Sequence, residues 1–144
     1  MGAGIPMVRS HKQHLILIAD RNPRVRGYLK REMQQAGYEV KLAAACREVI
    51  EALTVYPKIA GIIIDPDLPG AETDALRKMV TSDPHRIPII IHSLLEQSKP
   101  DFFFCPEEII VEKGGASAEQ LKQVLYRLFG RSRPSERLSA NHPV

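Results

Sequence analysis

The chain has 144 residues, of which 44% are hydrophobic and 26% charged, with a formal net charge of +3. That is the length of one domain with enough apolar content for a core, in an ordinary globular composition. The positive excess is too small and scattered to argue for nucleic acid, and no apolar run is long enough to span a bilayer. The two cysteines, Cys46 and Cys105, have no metal-ligand spacing and fit two free thiols in a reducing compartment. Residues 1–12 read as a flexible leader, glycine-rich and then basic, without the apolar core of a signal peptide. A cytoplasmic location follows from these readings.

In chain order, His14 to Asp20 is an apolar strand ending in an acid. Asn22-Pro23 opens a helix, with Asn as N-cap and Pro at the first helical position. Val25, Tyr28, Leu29, Met33 and Ala36 give it an apolar stripe, and Gly37 suits the residue that ends it. Tyr38 to Ala43 reads as a short strand, and residues 45–55 as a second helix stopped by Pro57. Ile59 to Asp65 is a β-branched run fit for a strand buried on both faces, again ending in an acid. Pro66, Pro69 and Gly70 then force a turn.

Glu72 to Thr81 reads as a third helix, with Ala75, Leu76, Met79 and Val80 inward. Ile87 to Ser93 is a fourth strand ending at a hydroxyl. Residues 94–106 fit at most a short or irregular helix, because Pro100 and Pro106 bracket Phe102-Phe103-Phe104. Glu108 to Lys113 is a fifth strand ending at an amine. Ser117 and Gln120 suggest a capping box for a last helix closed by Gly130. Residues 131–144 read as a disordered tail. The domain is therefore expected over 13–130, as an α/β fold with a parallel sheet and right-handed crossovers.

In such a sheet all strand carboxyl ends lie on one edge, where ligands bind. Asp20, Asp65, Ser93 and Lys113 thus meet at one crevice. Two carboxylates favour a cation between them, and oxygen ligands suit Mg²⁺. A carboxylate beside such an ion can attack phosphorus and form an acyl phosphate. A metal, an ammonium and a hydroxyl are the groups that stabilise the transferred phosphoryl. The assignment is Asp65 as phosphoacceptor, Asp20 as metal ligand, Ser93 as donor and Lys113 as counter-charge.

This ordered set resembles the response-regulator receiver domain of two-component signalling. The matching residues are Asp20 after the first strand, Asp65, Pro69 and Gly70 after the third, Ser93 after the fourth and Lys113 after the fifth. The resemblance covers residues 13–130. It implies a flavodoxin-like (CheY-like) doubly wound five-stranded sheet of order 2-1-3-4-5. It implies a phosphorelay in which Asp65 takes a phosphoryl group from a sensor histidine kinase or phosphotransfer protein. Mg²⁺ is the implied cofactor, held by Asp20, Asp65 and the backbone carbonyl of Asp67. Such a module is a signalling phosphoacceptor, not an enzyme beyond its own phosphotransfer and dephosphorylation. With no output domain after residue 130, it would act through a downstream protein target. Neither nucleic acid nor membrane is expected as a partner, and the state would be monomer or weak dimer.

Three positions depart from the family pattern. Ala19 stands where an acid adjoins Asp20, which weakens the expected metal site. Ile110 stands where a switch Tyr or Phe is usual. Gly114 replaces the proline after the lysine. The alternative is a pseudo-receiver that binds a protein partner without phosphotransfer. A phosphatase resembling the haloacid dehalogenase superfamily fits less well, because Asp65-Pro66-Asp67 follows the third strand instead of the first. Bland roles compete for each residue: a helix cap for Asp20, a loop hydroxyl for Ser93, a solvated amine for Lys113. His92 reads as structural, the phenylalanines as core filling, and Arg21, Arg24, Arg26, Lys30 and Arg31 as a solvated helix face.

Overall fold

The computed structural model describes residues 13–70, 72–82, 86–94 and 103–130. Strands β1 (Leu15–Ala19), β2 (Glu39–Ala43), β3 (Ile59–Ile64), β4 (Ile89–Ser93) and β5 (Ile109–Glu112) alternate with helices. These are α1 (Pro23–Gln35), α2 (Cys46–Val55), α3 (Thr73–Thr81) and α4 (Ser117–Phe129). The strands form one sheet of order β2-β1-β3-β4-β5, with every pairing parallel. This is the flavodoxin-like architecture that the resemblance implies.

The strand chemistry explains the order. Every residue of β1 is buried, as are five of six in β3, so both are covered on both faces. In β2 only Ala43 is fully buried and in β5 only Val111, which suits the two edges. Side chains alternate between two apolar layers. Leu17, Ala19, Ile62, Ile64, Ile89 and Ile91 pack with Cys46 and Val49 of α2 and Leu76 and Val80 of α3. Ile16, Ile18, Ile63, Ile90 and Val111 pack with Leu29 and Met33 of α1 and Leu121, Val124 and Leu125 of α4.

The local signals hold with some adjustments. Asn22 caps α1, its side chain accepting from the Arg24 N–H at 2.9 Å. Gly37 follows that helix at a φ of 101°, a conformation that favours glycine. The capping box is absent: α4 has Ala116 at its N-cap without a side-chain cap, and the Ser117 hydroxyl donates to the Gly114 carbonyl instead. Tyr28, Ala75 and Leu128 are exposed, because the buried stripes of their helices are narrower than their apolar sequence suggests.

Within 94–106, residues 95–102 lie outside the described residues, as do the expected leader and tail. Residues 103–105 form a turn on the α3 side of the sheet. The Glu108 carboxylate accepts from the Phe103 and Phe104 N–H groups at 2.7 and 2.9 Å, and more loosely from Cys105 at 3.4 Å. Arg77 of α3 donates to the Phe103 carbonyl at 2.9 Å. Phe104 is buried and Phe103 half-buried against the core, so both fill the interior as expected. Among the described residues no helix is long and apolar enough to cross a membrane.

Candidate functional site

The ladder of the sheet continues one residue beyond three strands. The Asp65 N–H donates to the Ala19 carbonyl at 2.9 Å, the Asp20 N–H to Ala43 at 3.0 Å, and the Lys113 N–H to Ser93 at 2.9 Å. This brings four polar residues to one sheet edge. Side-chain alternation then sorts them by face. Asp20, Asp65 and Lys113 each lie two residues beyond Ile18, Ile63 and Val111, on the α1/α4 face.

There the three meet. The Lys113 ammonium sits 3.0 Å from Asp20 Oδ2 and 3.1 Å from Asp65 Oδ2. The carboxylates are almost closed to solvent, 2% and 5% exposed, against 20% for the lysine side chain. Each acid fixes its other oxygen locally. Asp20 Oδ1 accepts from the Asn22 N–H at 2.8 Å, and Asp65 Oδ1 from the Asp67 N–H at 2.9 Å. Asp20 therefore does brace the start of α1, but with only one oxygen. The ammonium is aligned for a hydrogen bond to Asp65; towards Asp20 the contact is an ion pair, leaving Oδ2 with no aligned donor. Burial alone would lower the Lys113 pKa, but the close contacts with the Asp20 and Asp65 carboxylates together outweigh it and raise it.

Ser93 is also buried at this edge, yet its hydroxyl donates to the Leu94 carbonyl at 2.8 Å. Asp67 is exposed in the turn after β3. Ile110 is half-buried against the α2/α3 layer, where an aliphatic side chain stands instead of a ring. Ala19 is 1% exposed and packs in that same layer, so an acid there would replace a core methyl. A Cβ on Gly114 would meet nothing within 4 Å.

The donor chemistry suits a hard divalent ion: two carboxylates already share one cation, and Asp20 Oδ2 lacks an aligned donor. Among the described residues no three of His, Cys, Asp and Glu converge to hold a metal, so further ligands would be backbone carbonyl or water.

Two residues stand at or beside the site in ways that the sequence reading did not give them. Arg26 reads as solvated, but its guanidinium donates to the Asp20 backbone carbonyl at 2.7 Å and ties α1 to the site. His92 is 3% exposed, and among the described residues neither ring nitrogen has a hydrogen-bond partner. Its parity in β4, two residues beyond Ile90, was the available signal, since it puts the ring on the face of Asp65.

No family model matches the chain, and no curated relative matches it. Solved structures do. A response regulator receiver protein from Sinorhizobium medicae WSM419 superposes with a TM-score of 0.67 at 24% identity, covering 81% of this chain and 95% of that one. The chemotaxis response regulator CheY4 of Vibrio cholerae gives 0.65 at 23% identity, covering 82% and 100%. The signal receiver domain of an HD domain-containing protein from Pseudomonas fluorescens Pf-5 gives 0.68 at 13% identity, covering 81% and 94%. With its strand order, its edge of converging side chains and these likenesses, the chain has the fold of the response-regulator receiver (CheY-like) domains.

Proposed function

We propose that this chain is a receiver module that accepts a phosphoryl group on Asp65 in two-component signal transduction. The observation that carries the reading is the bridge of Lys113 to both Asp20 and Asp65. Nothing in the apolar packing of a strand end calls for two buried acids and an amine. An incoming phosphoryl group does: its oxygens need fixed positive charge, and its phosphorus needs a carboxylate.

The donor is a phosphohistidine on a sensor kinase or phosphotransfer protein. An oxygen of Asp65 attacks phosphorus, the P–N bond breaks, and the departing imidazole keeps the bonding pair and is protonated. Lys113 then follows the negative charge from the carboxylate to the phosphoryl oxygens. Asp20 holds that ammonium in place. Ser93 contributes its hydroxyl once it turns from the Leu94 carbonyl. Asp20, Asp65 and the Asp67 backbone carbonyl would hold Mg²⁺, which supplies further positive charge at the phosphoryl oxygens. The signal passes to a protein target that reads the edge around Ser93 and the exposed Leu94.

Intact-mass measurement after treatment with acetyl phosphate and Mg²⁺ tests this. One added phosphoryl group is expected on the wild type, labile to hydroxylamine, and none on Asp65→Asn. A wild type left unmodified under saturating donor, or a modified Asp65→Asn, overturns the reading.

A further inference from the structure

His92 is a polar residue placed where the strand pattern calls for an aliphatic one. It follows Ile89-Ile90-Ile91 and shares its face with Ile18, Ile63, Ile90 and Val111. At 3% exposure it has, among the described residues, no hydrogen bond on either Nδ1 or Nε2. Burial, with a further push from the Lys113 charge and against the opposing pull of Asp20 and Asp65, lowers its pKa from 6.5 to about 4. The ring is neutral at physiological pH and carries one N–H donor and one bare nitrogen. Buried donors are almost always paired, so an idle one asks for an explanation.

The register supplies one. Ile64 of β3 pairs with Ile91 of β4, so the next residues, Asp65 and His92, stand at the same level on adjacent strands. His92 in turn pairs with Val111, two residues before Lys113. The imidazole therefore lies beside Asp65 and two residues below Lys113, on the cluster's face of the sheet. Phosphorylation of Asp65 would add acceptor oxygens on that face. The hydroxyl at this edge, on Ser93, donates to Leu94 in the resting molecule and must turn before it can reach such an oxygen.

We propose that His92 is the internal donor that answers phosphorylation: its ring N–H, idle in the resting molecule, donates to an oxygen of phosphorylated Asp65 and prolongs the life of that state. The proposal rests on the reading of Asp65 as phosphoacceptor. It gives the buried ring a role at the site in a chain whose β5 offers Ile110 and no aromatic side chain.

The test uses the full chain labelled with ¹⁵N-histidine. Imidazole nitrogen spectra are recorded before and after acetyl phosphate and Mg²⁺, with intact mass taken on the same samples. His92→Leu assigns the His92 signals by their loss. On phosphorylation the His92 ring proton is expected to shift downfield and to exchange slowly with water. His92→Leu should accept the phosphoryl group but lose it about tenfold faster, as for one hydrogen bond to a charged acceptor. His92→Asn, which keeps a donor, should fall between. A phosphorylated wild type whose His92 nitrogens do not move overturns this proposal and leaves the phosphoacceptor reading standing. An equal phosphoryl lifetime in a folded His92→Leu does the same. A wild type that takes no phosphoryl group overturns both.

Discussion

At the scale of the residue, Lys113 decides whether the site can exist. Two carboxylates facing each other at 2% and 5% exposure repel unless a cation stands between them. Removing the lysine leaves that repulsion uncompensated. Lys113→Met is expected to cost about 3 kcal/mol of stability at neutral pH without metal, the magnitude for breaking a mostly buried pair. Millimolar Mg²⁺ should return part of it, since a divalent ion can take the place of the ammonium between the acids. Urea denaturation of both proteins with and without Mg²⁺ checks this; equal midpoints would mean that the acids do not depend on the lysine. That Asp20, Asp65 and Lys113 would meet was legible in the sequence, because a parallel sheet fixes where strand ends go. The direction of the Ser93 hydroxyl was not, because a rotatable O–H chooses among nearby carbonyls only once the chain is folded.

At the scale of the element, strand and helix assignments follow from sequence where apolar periodicity is strong. β1 and β3 are continuous apolar runs, and Asn22-Pro23 marks the start of α1 without ambiguity. The start of α4 was misread because Ser117-x-x-Gln120 satisfies the capping pattern one position late. The Ser117 hydroxyl finds the Gly114 carbonyl three residues back and leaves Ala116 to open the helix. The turn at 103–105 was illegible for a different reason. It is held by the Glu108 carboxylate and by Arg77, 26 positions away, and no local pattern announces either. Glu108→Ala should release the N–H groups of Phe103 and Phe104, half-buried and unpaired, at a cost of about 2 kcal/mol. Amide exchange read by mass spectrometry should accelerate at 103–105 and stay unchanged in β1 and β3. Uniform acceleration would show instead that the turn is coupled to the whole core.

At the scale of the molecule, two buried groups bound the pH range of the fold. His92 has a folded pKa of about 4, below its ordinary 6.5. As pH falls through that window the unfolded chain takes up a proton that the folded chain refuses, so stability declines, by about 3 kcal/mol at most. Lys113 has a folded pKa raised above its ordinary 10.5. The stability it supplies is complete below 10.5 and is lost as pH rises through the folded value. Calorimetric melting across pH should therefore give a dome, with His92→Leu flattening only the acid limb and Lys113→Met chiefly the alkaline one. A dome of unchanged shape in both variants would assign these limbs to other groups. The same lysine also governs when the site comes into being. Lys113 follows β5, which among the described residues is an edge strand paired with β4, yet its ammonium closes a contact with Asp65, 48 positions earlier. During synthesis β1 and β3 leave the ribosome well before it. A nascent chain thus holds Asp20 and Asp65 without their counter-ion until β5 docks, and closure of this cluster becomes a report on completed assembly.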